Sequence, residues 1–493
     1  MKQAGGERVP LSQFIGDSAL FGLGGMADRL IGFLFLPVTA SILGSAGFGV
    51  YNLYSTSAAI LFMLCAVGMH GAYFRFATEE STGDVEQVLD TALTVIHAAT
   101  AVWMPVGLYF AAPLSELLVG VREPWFVYWL CLRTYSDTMG SLADCKLQVE
   151  GRLRLFLSLR VPITVAIRAV ALGTLIYYRT PLALAAGEAL GGVLTTLPMC
   201  AYVLRQGRFR IHPALLRPMV VYGAGSIPGF VSAWLLVAAN RYLLKAYGPN
   251  HVRDVGLFSL AERFSSVMLL AGQTLWLGWR RYAFRNMHLA DGGALLGRGM
   301  TLYFAAAGFI ALSIALLGPA VTHTLISDEF AAAEPLIPPL TLAAFLGAMS
   351  GPLRIGLFKE RRSMTMSLVT MAGAVVSIGA ALMLIPTWAA AGAVAAALAG
   401  QAVGSVMGFT VSQRVFRLPY EWGRLAALAV WFAAAYGASL AIGQLGWAWM
   451  LAGSTAILAA LPFLIYHYGP LSEQERQRIR DGAKPLLARF GRA

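Results

Sequence analysis

Charged residues are scarce in this sequence. Only 13% of its 493 residues are Asp, Glu, Lys or Arg, and 58% are hydrophobic, whereas soluble globular proteins carry about 25% charged residues. Apolar runs of about 20 residues, the length that crosses a hydrocarbon core as a helix, recur from end to end. Because no segment between these runs is long enough to fold as a soluble domain, the composition predicts an all-α polytopic membrane protein.

Motifs for metal, disulfide and hydrolytic chemistry are absent as well. The four cysteines have neither CxxC nor metal-ligand spacing, which argues against a disulfide framework and a zinc site. No Walker loop occurs, so we do not expect this chain to hydrolyse ATP. HExxH and GxSxG are missing, and predicted outer loops such as 112–123 and 327–335 are too short to fold alone, whereas polymerases and ligases usually carry a large external loop with catalytic groups. We therefore predict a transporter without a metal or cofactor, in preference to a membrane polymerase or ligase.

The apolar runs predict fourteen transmembrane helices. The first run lacks a small-residue cleavage site and another run follows it at once, so we interpret it as a retained helix and not as a signal peptide. The predicted spans are 16–42, 49–73, 89–112, 124–148, 156–178, 181–204, 219–246, 254–280, 299–323, 335–358, 364–387, 390–413, 422–443 and 446–468.

The distribution of cations predicts the orientation in the membrane. Lys and Arg concentrate in alternate loops, and short loops rich in these residues stay in the cytoplasm. The other loops are poor in cations and carry acids such as Glu116, Glu123 and Asp328. Both termini are therefore predicted to be cytoplasmic, with the basic tail 469–493 against anionic lipid. Topology explains the net charge of +12 without nucleic acid as a partner.

An internal repeat divides the sequence. The stretch "GFGVYNLYSTSAAILFML" from Gly47 aligns without gaps with "DVGLFSLAERFSSVMLLA" from Asp254, which pairs Gly49 with Gly256. Six predicted spans separate the copies, so the repeat is parallel and predicts two six-helix lobes related by an axis along the membrane normal, with a central cationic cavity. The predicted divisions are an N-terminal lobe (1–205), a C-terminal lobe (206–415), two further helices (416–468) and the tail (469–493).

Two segments resemble a known family. "LPVTASILGSAGFGVYNLYSTSAAI" (36–60) resembles the first-loop pattern of the bacterial polysaccharide exporters of the multidrug/oligosaccharidyl-lipid/polysaccharide (MOP) superfamily. In that pattern a helix ends in Leu-Gly, and Phe or Tyr followed by Gly-x-Tyr opens the next helix. "LQVEGRLRLFLSLRV" (147–161) resembles the family's turn between its fourth and fifth helices.

The resemblance implies a Wzx-type flippase of the bacterial inner membrane. Such a protein moves an undecaprenyl-pyrophosphate-linked oligosaccharide, an O-antigen or exopolysaccharide repeat unit, from the inner to the outer leaflet by alternating access. Polysaccharide polymerase or export machinery would be its protein partner, and the lipid bilayer its environment. The superfamily also contains lipid II flippases and MATE-like drug/cation antiporters, which stay open as alternatives.

Ionisable residues within the predicted spans mark the candidate site. Charged groups inside a membrane are costly and usually face a cavity, a partner or an ion path. Cations outnumber acids in these spans, and guanidinium groups suit the bidentate recognition of a pyrophosphate. The predicted substrate-binding residues are Arg29, Arg168 and Arg263, with Arg241 and Arg133 as weaker candidates.

The acids and a histidine have two competing interpretations. Asp28, Glu188 and the mid-span His97 are candidates for H⁺ or Na⁺ coupling or for charge balance. Structural pairing of Asp28 or Glu188 with an arginine on another helix is the alternative. Arg133 and Asp137 are four residues apart on one helix face, so we expect them to pair with each other.

Overall fold

A computed structural model describes residues 31–78, 84–287, 292–360 and 362–468. Within these ranges the regular secondary structure is helical and contains no β-strand. The helices are α1 (Leu36–Cys65), α2 (Met69–Thr78), α3 (Val85–Tyr109), α4 (Ala111–Val119), α5 (Trp125–Val149), α6 (Leu153–Tyr178), α7 (Pro181–Gln206), α8 (Pro213–Tyr247), α9 (Val252–Asn286), α10 (Gly292–Leu325), a 3-10 helix (Asp328–Leu336), α11 (Ile337–Leu353), α12 (Ile355–Lys359), α13 (Ser363–Val415), α14 (Trp422–Gly443) and α15 (Trp447–Tyr468).

The predicted all-helical membrane fold is confirmed. Nine helices of the described ranges are long and apolar enough to cross a membrane. The spans predicted at 422–443 and 446–468 coincide with α14 and α15 to within one residue. The total of fourteen spans, their orientation and the lobe boundaries stay predictions.

Two pairs of predicted spans are joined by a bend inside a helix. In α1 the bend lies at Gly44, whose φ of 64° suits a residue without a side chain. In α13 it lies at Ala389, with φ 49° and ψ −127°. A left-handed φ costs a residue with a side chain about 1–2 kcal/mol, so the packing around Ala389 must offset this strain.

The loop predicted at 112–123 contains a short helix, α4. Gly120 ends this helix in the left-handed conformation, with φ 86°. The Lys245 ammonium group donates to the carbonyl oxygens of Glu116 (2.6 Å) and Leu117 (2.5 Å) in its last turn. The Glu116 carbonyl also accepts a hydrogen bond from the Gly120 N–H at 3.1 Å, so Lys245 adds a second donor at this helix end, and its charge interacts favourably with the helix dipole.

The described residues form two compact units. The first contains the described residues up to Ser259 together with Ala381–Ala393, and the second contains Leu260–Ala380 together with the described residues from Val394 onward. In the first unit the large side chains of Phe48, Tyr54 and Tyr73 are fully buried. α5 and α6 both pack against α7 in this unit, and these three helices carry most of the candidate site.

A half-buried arginine organises part of the second unit. Arg354 lies at the break between α11 and α12, where φ is −95° and ψ is 14°. Its guanidinium group donates to the Thr370 hydroxyl at 2.9 Å and to the Gly404 carbonyl at 3.1 Å. A Cβ atom on Gly408 would lie 2.6 Å from Arg354 Nε, so the glycine makes room for this side chain.

The turn between α5 and α6, within the segment 147–161, is organised around Glu150. Its carboxylate accepts hydrogen bonds from the Tyr202 hydroxyl at 2.7 Å and from Lys146 Nζ at 2.9 Å, and Arg152 Nε lies 3.6 Å away. Burial alone raises the pKa of Glu150, but these hydrogen bonds and positive charges lower it below its usual value. The ionised carboxylate thereby links the turn to α7.

Residues at the beginning of the two sequence repeats meet within the first unit. A Cβ atom on Gly49 would lie 1.8 Å from the carbonyl oxygen of Val252, and a Cβ atom on Gly256 would lie 1.8 Å from that of Ser45. The alignment that pairs Gly49 with Gly256 also pairs Ser45 with Val252. The contact is therefore reciprocal, as expected where two equivalent surfaces meet about a twofold axis.

This contact predicts that alanine at either glycine destabilises the protein. In Gly49→Ala and Gly256→Ala the added methyl group meets a backbone oxygen that cannot rotate away. Overpacking costs about 1–3 kcal/mol and occasionally more, so we expect the free energy of unfolding to fall by about 2 kcal/mol or more. Thermal unfolding of the purified full chain in detergent measures it.

Gly173→Ala is the matched control, because among the described residues no atom beyond the chain neighbours and local helix backbone of this glycine lies within 4 Å of its Cβ position. Alanine is favoured over glycine in helices by about 0.5–1 kcal/mol, so this variant should be as stable as the parent or slightly more stable. Equal unfolding temperatures for the parent, Gly49→Ala and Gly256→Ala would contradict the contact.

Candidate functional site

The candidate site is a cavity of about 410 Å³ within the first unit. It lies among α1, α5, α6 and α7, and its size falls in the range of small-molecule sites. The described residues that line it are Ser55, Ala58, Ala59, Phe62, Arg133, Ser136, Asp137, Gly140, Ser141, Asp144, Ile163, Thr164, Ile167, Arg168, Glu188, Gly192 and Thr196.

Small residues on α7 bring its neighbours close. A Cβ atom on Gly187 would lie 2.6 Å from the Cα atom of Ala171, and one on Gly191 would lie 2.9 Å from the Cα atom of Ile167. The backbones of α6 and α7 therefore touch, as in membrane helices whose interface has small residues four apart. Glu188 lies between these two glycines in the sequence, so the close approach places it beside α6.

Glu188 holds two arginines that come from different helices. Its Oε2 accepts a hydrogen bond from Arg133 Nη1 of α5 at 2.5 Å. Its Oε1 accepts hydrogen bonds from Arg168 Nη1 of α6 and from the Tyr51 hydroxyl of α1, the latter at 2.5 Å. Only 3% of the Glu188 side-chain surface is exposed. One buried carboxylate thus connects four helices and balances part of the charge of two guanidinium groups.

The two arginines also face the cavity. The side chains of Arg133 and Arg168 keep 20% and 26% of their surface exposed. Arg133 Nε lies 3.5 Å from Asp137 Oδ2, so the contact predicted between these residues is present. The Arg133 guanidinium group also lies 5.5 Å from the centre of the Tyr54 ring, within the range of a cation–π interaction.

Asp137, Asp144 and the hydroxyl groups of the cavity were missed as site residues by the sequence analysis. On α5 the lining residues are separated by three, four, seven, eight and eleven positions from Arg133, which is the spacing of one helix face. This helical spacing of polar residues is visible in the sequence and could have identified Asp137 and Asp144 as site residues. α5 is not among the nine strongly apolar helices, because charged residues interrupt it.

The charge of this cavity is mixed. Two guanidinium groups and three carboxyl groups of the described residues line it, a formal excess of one negative charge. Asp28 and Arg29, predicted for the same site, lie outside the described residues. The central cationic cavity between lobes therefore stays a prediction. Among the described residues, no His, Cys, Asp or Glu side chains group as a metal site.

The other predicted residues do not line this cavity. Arg241 of α8 donates to the Thr56 hydroxyl of α1 at 2.5 Å. His97 Nδ1 lies 2.8 Å from the Leu93 carbonyl oxygen and Nε2 lies 3.2 Å from the Tyr135 hydroxyl. Arg263 is half-buried on α9 in the second unit. The functional roles proposed for these three residues stay predictions.

Loss of the Glu188 charge is expected to destabilise the protein. Glu188→Gln places an amide donor against guanidinium donors and leaves their charge unbalanced in apolar surroundings. Breaking a buried ion pair by changing one partner costs about 3–5 kcal/mol. Because both arginines are partly exposed, we expect the free energy of unfolding to fall by about 3 kcal/mol. Thermal unfolding measures the loss.

Glu86→Gln serves as the control, since Glu86 is exposed in the first turn of α3. A charge at that position contributes about 0.3–1 kcal/mol through the helix dipole. Tyr51→Phe removes one hydrogen bond to the charged Glu188 carboxylate and should lower the free energy of unfolding by about 1.5–3 kcal/mol. If Glu188→Gln were as stable as Glu86→Gln, the shared ion pair would not be part of the folded protein.

Sequence and fold both have relatives. The profile of the family described as polysaccharide biosynthesis protein matches residues 16–271. Among solved structures, lipid II flippase MurJ in an inward closed conformation has a TM-score of 0.71 at 10% identity, covering 91% of this chain and 99% of that chain. No curated protein matches the sequence significantly.

MATE transporters share the fold too. A multidrug resistance MATE family transporter of the MOP superfamily, in an inward-facing conformation, has a TM-score of 0.58 at 16% identity and covers 80% of this chain and 95% of its own. The MATE multidrug transporter DinF-BH in complex with R6G has a TM-score of 0.52 at 17% identity, covering 85% of this chain and 100% of that chain. These structural likenesses show a common polytopic fold.

Proposed function

Because this chain belongs to the polysaccharide biosynthesis protein family, we propose that it is a flippase for lipid-linked oligosaccharides. Its substrate is an undecaprenyl-pyrophosphate-linked repeat unit, which it moves from the inner to the outer leaflet of the bacterial inner membrane by alternating access. Both termini face the cytoplasm, and the flipped unit passes to polysaccharide polymerase or export machinery.

The observation that carries this proposal is the pair of arginines at the cavity wall. Arg133 and Arg168 converge on Glu188 from two helices, and both keep part of their surface toward the cavity. A guanidinium group stays charged when partly desolvated and binds phosphate oxygens through parallel hydrogen bonds. The pair can therefore replace water around a pyrophosphate that has left the membrane surface.

Glu188 limits how tightly the pyrophosphate binds. It accepts a hydrogen bond from each arginine, so the bound anion meets guanidinium charge that is already partly balanced. Binding that is too strong would trap the substrate midway, since a transporter must release what it binds. Glu188 is thus a charge-balancing residue in this mechanism.

Asp28, Arg29, Arg241 and Arg263 keep the roles proposed from the sequence, and H⁺ or Na⁺ coupling through Asp28, Glu188 or His97 belongs to the same proposal.

Two alternatives share the fold. Lipid II is another anionic substrate that the arginine pair would suit, and the lipid II flippase MurJ has the same overall fold. A MATE-like antiporter of drugs or cations is favoured by the three carboxyl groups of the cavity, which would attract a cationic substrate. The two arginines on Glu188 argue against the second alternative, because they occupy the most buried of these carboxylates.

Replacement of Arg168 tests the proposal directly. Proteoliposomes holding the full chain would carry a polyprenyl-diphosphate disaccharide, and an impermeant glycosyltransferase would report the glycans that reach the outer leaflet. A hydrogen bond to a charged group contributes about 1.5–3 kcal/mol, so we expect Arg168→Ala to lower the flipping rate by about tenfold or more. Arg168→Lys keeps the charge but loses the fork geometry and should be intermediate.

Arg122→Ala is the matched control, because Arg122 is exposed in the loop between α4 and α5. It should flip the substrate at the parental rate. Thermal unfolding of each variant separates loss of binding from loss of folding. Full-rate flipping by a correctly folded Arg168→Ala variant would contradict the role of the arginine pair.

Cells that lack this chain distinguish the alternatives. We expect them to accumulate the lipid-linked repeat unit on the inner leaflet while lipid II still reaches the outer leaflet. Normal outer-leaflet delivery of the repeat unit would contradict the proposal. Uptake of an organic cation by the proteoliposomes against a proton or sodium gradient would favour the antiporter.

A further inference from the structure

Four residues of α1 form one wall of the cavity. Ser55, Ala58, Ala59 and Phe62 all line it, and the last three follow Ser55 by three, four and seven positions, which is the spacing of one helix face. We call these four residues the α1 wall. Among the lining residues of the described ranges, Phe62 is the one that carries an aromatic ring.

The Phe62 ring is covered from one side. His70 of α2 stacks on it, with 5.5 Å between the ring centroids and 26° between the ring planes. Because the same ring also lines the cavity, its other side is available to a ligand. Ala58 and Ala59 lie one turn before Phe62, and their short side chains leave room in front of the ring.

Ser55 lies at the other end of the α1 wall. In the part of the chain that the structure describes, its Oγ makes no hydrogen bond, although it is shielded from solvent. A shielded hydroxyl group without a partner is costly. A staggered rotation about χ1 would aim this group at a ligand in the cavity, and an oxygen atom of that ligand would supply the missing acceptor.

The α1 wall begins at the level of the arginine pair. The Arg133 guanidinium group lies 5.5 Å from the centre of the Tyr54 ring, and Ser55 is the next residue of α1. Phe62 is seven positions further along, which is about 10 Å at a rise of 1.5 Å per residue. A diphosphate held beside Ser55 by the arginine pair would therefore place the next group of the substrate, its first sugar, near Phe62.

We propose that the α1 wall binds the substrate along its length: Ser55 donates a hydrogen bond to the diphosphate, and the Phe62 ring stacks on the sugar that follows it. This inference rests on the proposed function, because it requires the diphosphate to bind at Arg133 and Arg168. The C–H groups on the face of a sugar ring are slightly positive, and the face of an aromatic ring is slightly negative. Stacking on Phe62 therefore favours a sugar ring over an acyclic alcohol.

Three probes test the inference. They are farnesyl diphosphate, farnesyl-diphosphate-linked glycerol and farnesyl-diphosphate-linked glucose. The last two carry the same charge and both have hydroxyl groups, but only glucose has a ring. Calorimetric titration of the purified full chain in lipid nanodiscs gives the Kd of each probe. We expect the parent protein to bind the glucose probe about fivefold or more tightly than the glycerol probe.

Changes near the Phe62 end of the wall should remove this preference. Phe62→Leu keeps an apolar side chain but loses the ring, so we expect the preference to fall to about twofold or less while the Kd of farnesyl diphosphate stays unchanged. Phe62→Tyr keeps the ring and should keep the preference. Ala59→Leu fills the space in front of the ring from an exposed position and should reduce the preference as much as Phe62→Leu.

Ser55→Ala should act on all three probes alike. It removes a hydrogen bond to a charged group, so we expect each Kd to rise about tenfold. The ratio between the glycerol and glucose probes should stay at its parental value, because the Phe62 ring is unchanged.

Phe74→Leu is the matched control, since it makes the same substitution on α2 at a residue that is 41% exposed and lies outside the cavity lining. It should keep the parental preference and the parental Kd of farnesyl diphosphate. Thermal unfolding shows whether each variant is folded. If Phe62→Leu does not fold, Ala59→Leu decides, because its side chain replaces one that already faces open space.

Each outcome has a distinct meaning. Equal Kd values of the glycerol and glucose probes in the parent, or a parental preference in folded Phe62→Leu or Ala59→Leu, would overturn stacking on Phe62 while binding of farnesyl diphosphate still supported the proposed function. An unchanged Kd of farnesyl diphosphate in Ser55→Ala would overturn the role of Ser55. Failure of farnesyl diphosphate to bind the parent protein would overturn both the inference and the proposed function.

Discussion

The carboxylate of Glu188 is the group on which the polar interior of the first unit depends. It is almost completely buried, and it accepts hydrogen bonds from Arg133, Arg168 and Tyr51. Isolated guanidinium groups at this depth would be costly, so the carboxylate makes their presence tolerable and fixes their positions. Because its partners come from α1, α5 and α6, the same interaction that balances charge also ties these helices to α7.

This ion pair exists because helices approach each other closely. Gly187 and Gly191 let the backbone of α7 touch that of α6, and without this approach Arg168 would not reach Glu188. The reciprocal contact of Gly49 and Gly256 also depends on the absence of side chains, because backbone carbonyl oxygens occupy the positions that Cβ atoms would take. In a membrane, where burial of apolar surface does little to hold helices together, such close packing supplies much of the attraction between them.

The cavity has a mixed lining of two guanidinium groups, three carboxyl groups and several hydroxyl groups. Guanidinium groups suit a diphosphate, and the carboxylate of Glu188 balances part of their charge. A purely cationic cavity would bind a diphosphate more tightly than this mixed cavity. In the proposed function, the mixed lining gives the anionic lipid a place to bind and limits the strength of that binding.

The sequence by itself determined the class of the protein and most helix positions, because hydropathy and length report directly on transfer into a membrane. It also indicated the repeat whose glycines meet, and it marked Arg133, Arg168 and Glu188 as buried ionisable residues. It could not say that these three residues share one ion pair. Residues on separate helices are brought together by close backbone packing, and the residue pattern within one helix does not show which other helix packs against it. The bends at Gly44 and Ala389, the helix in place of the loop at 112–123 and the role of Asp144 as a lining residue were likewise decided by tertiary structure. Each depends on which neighbouring atoms occupy the space around it.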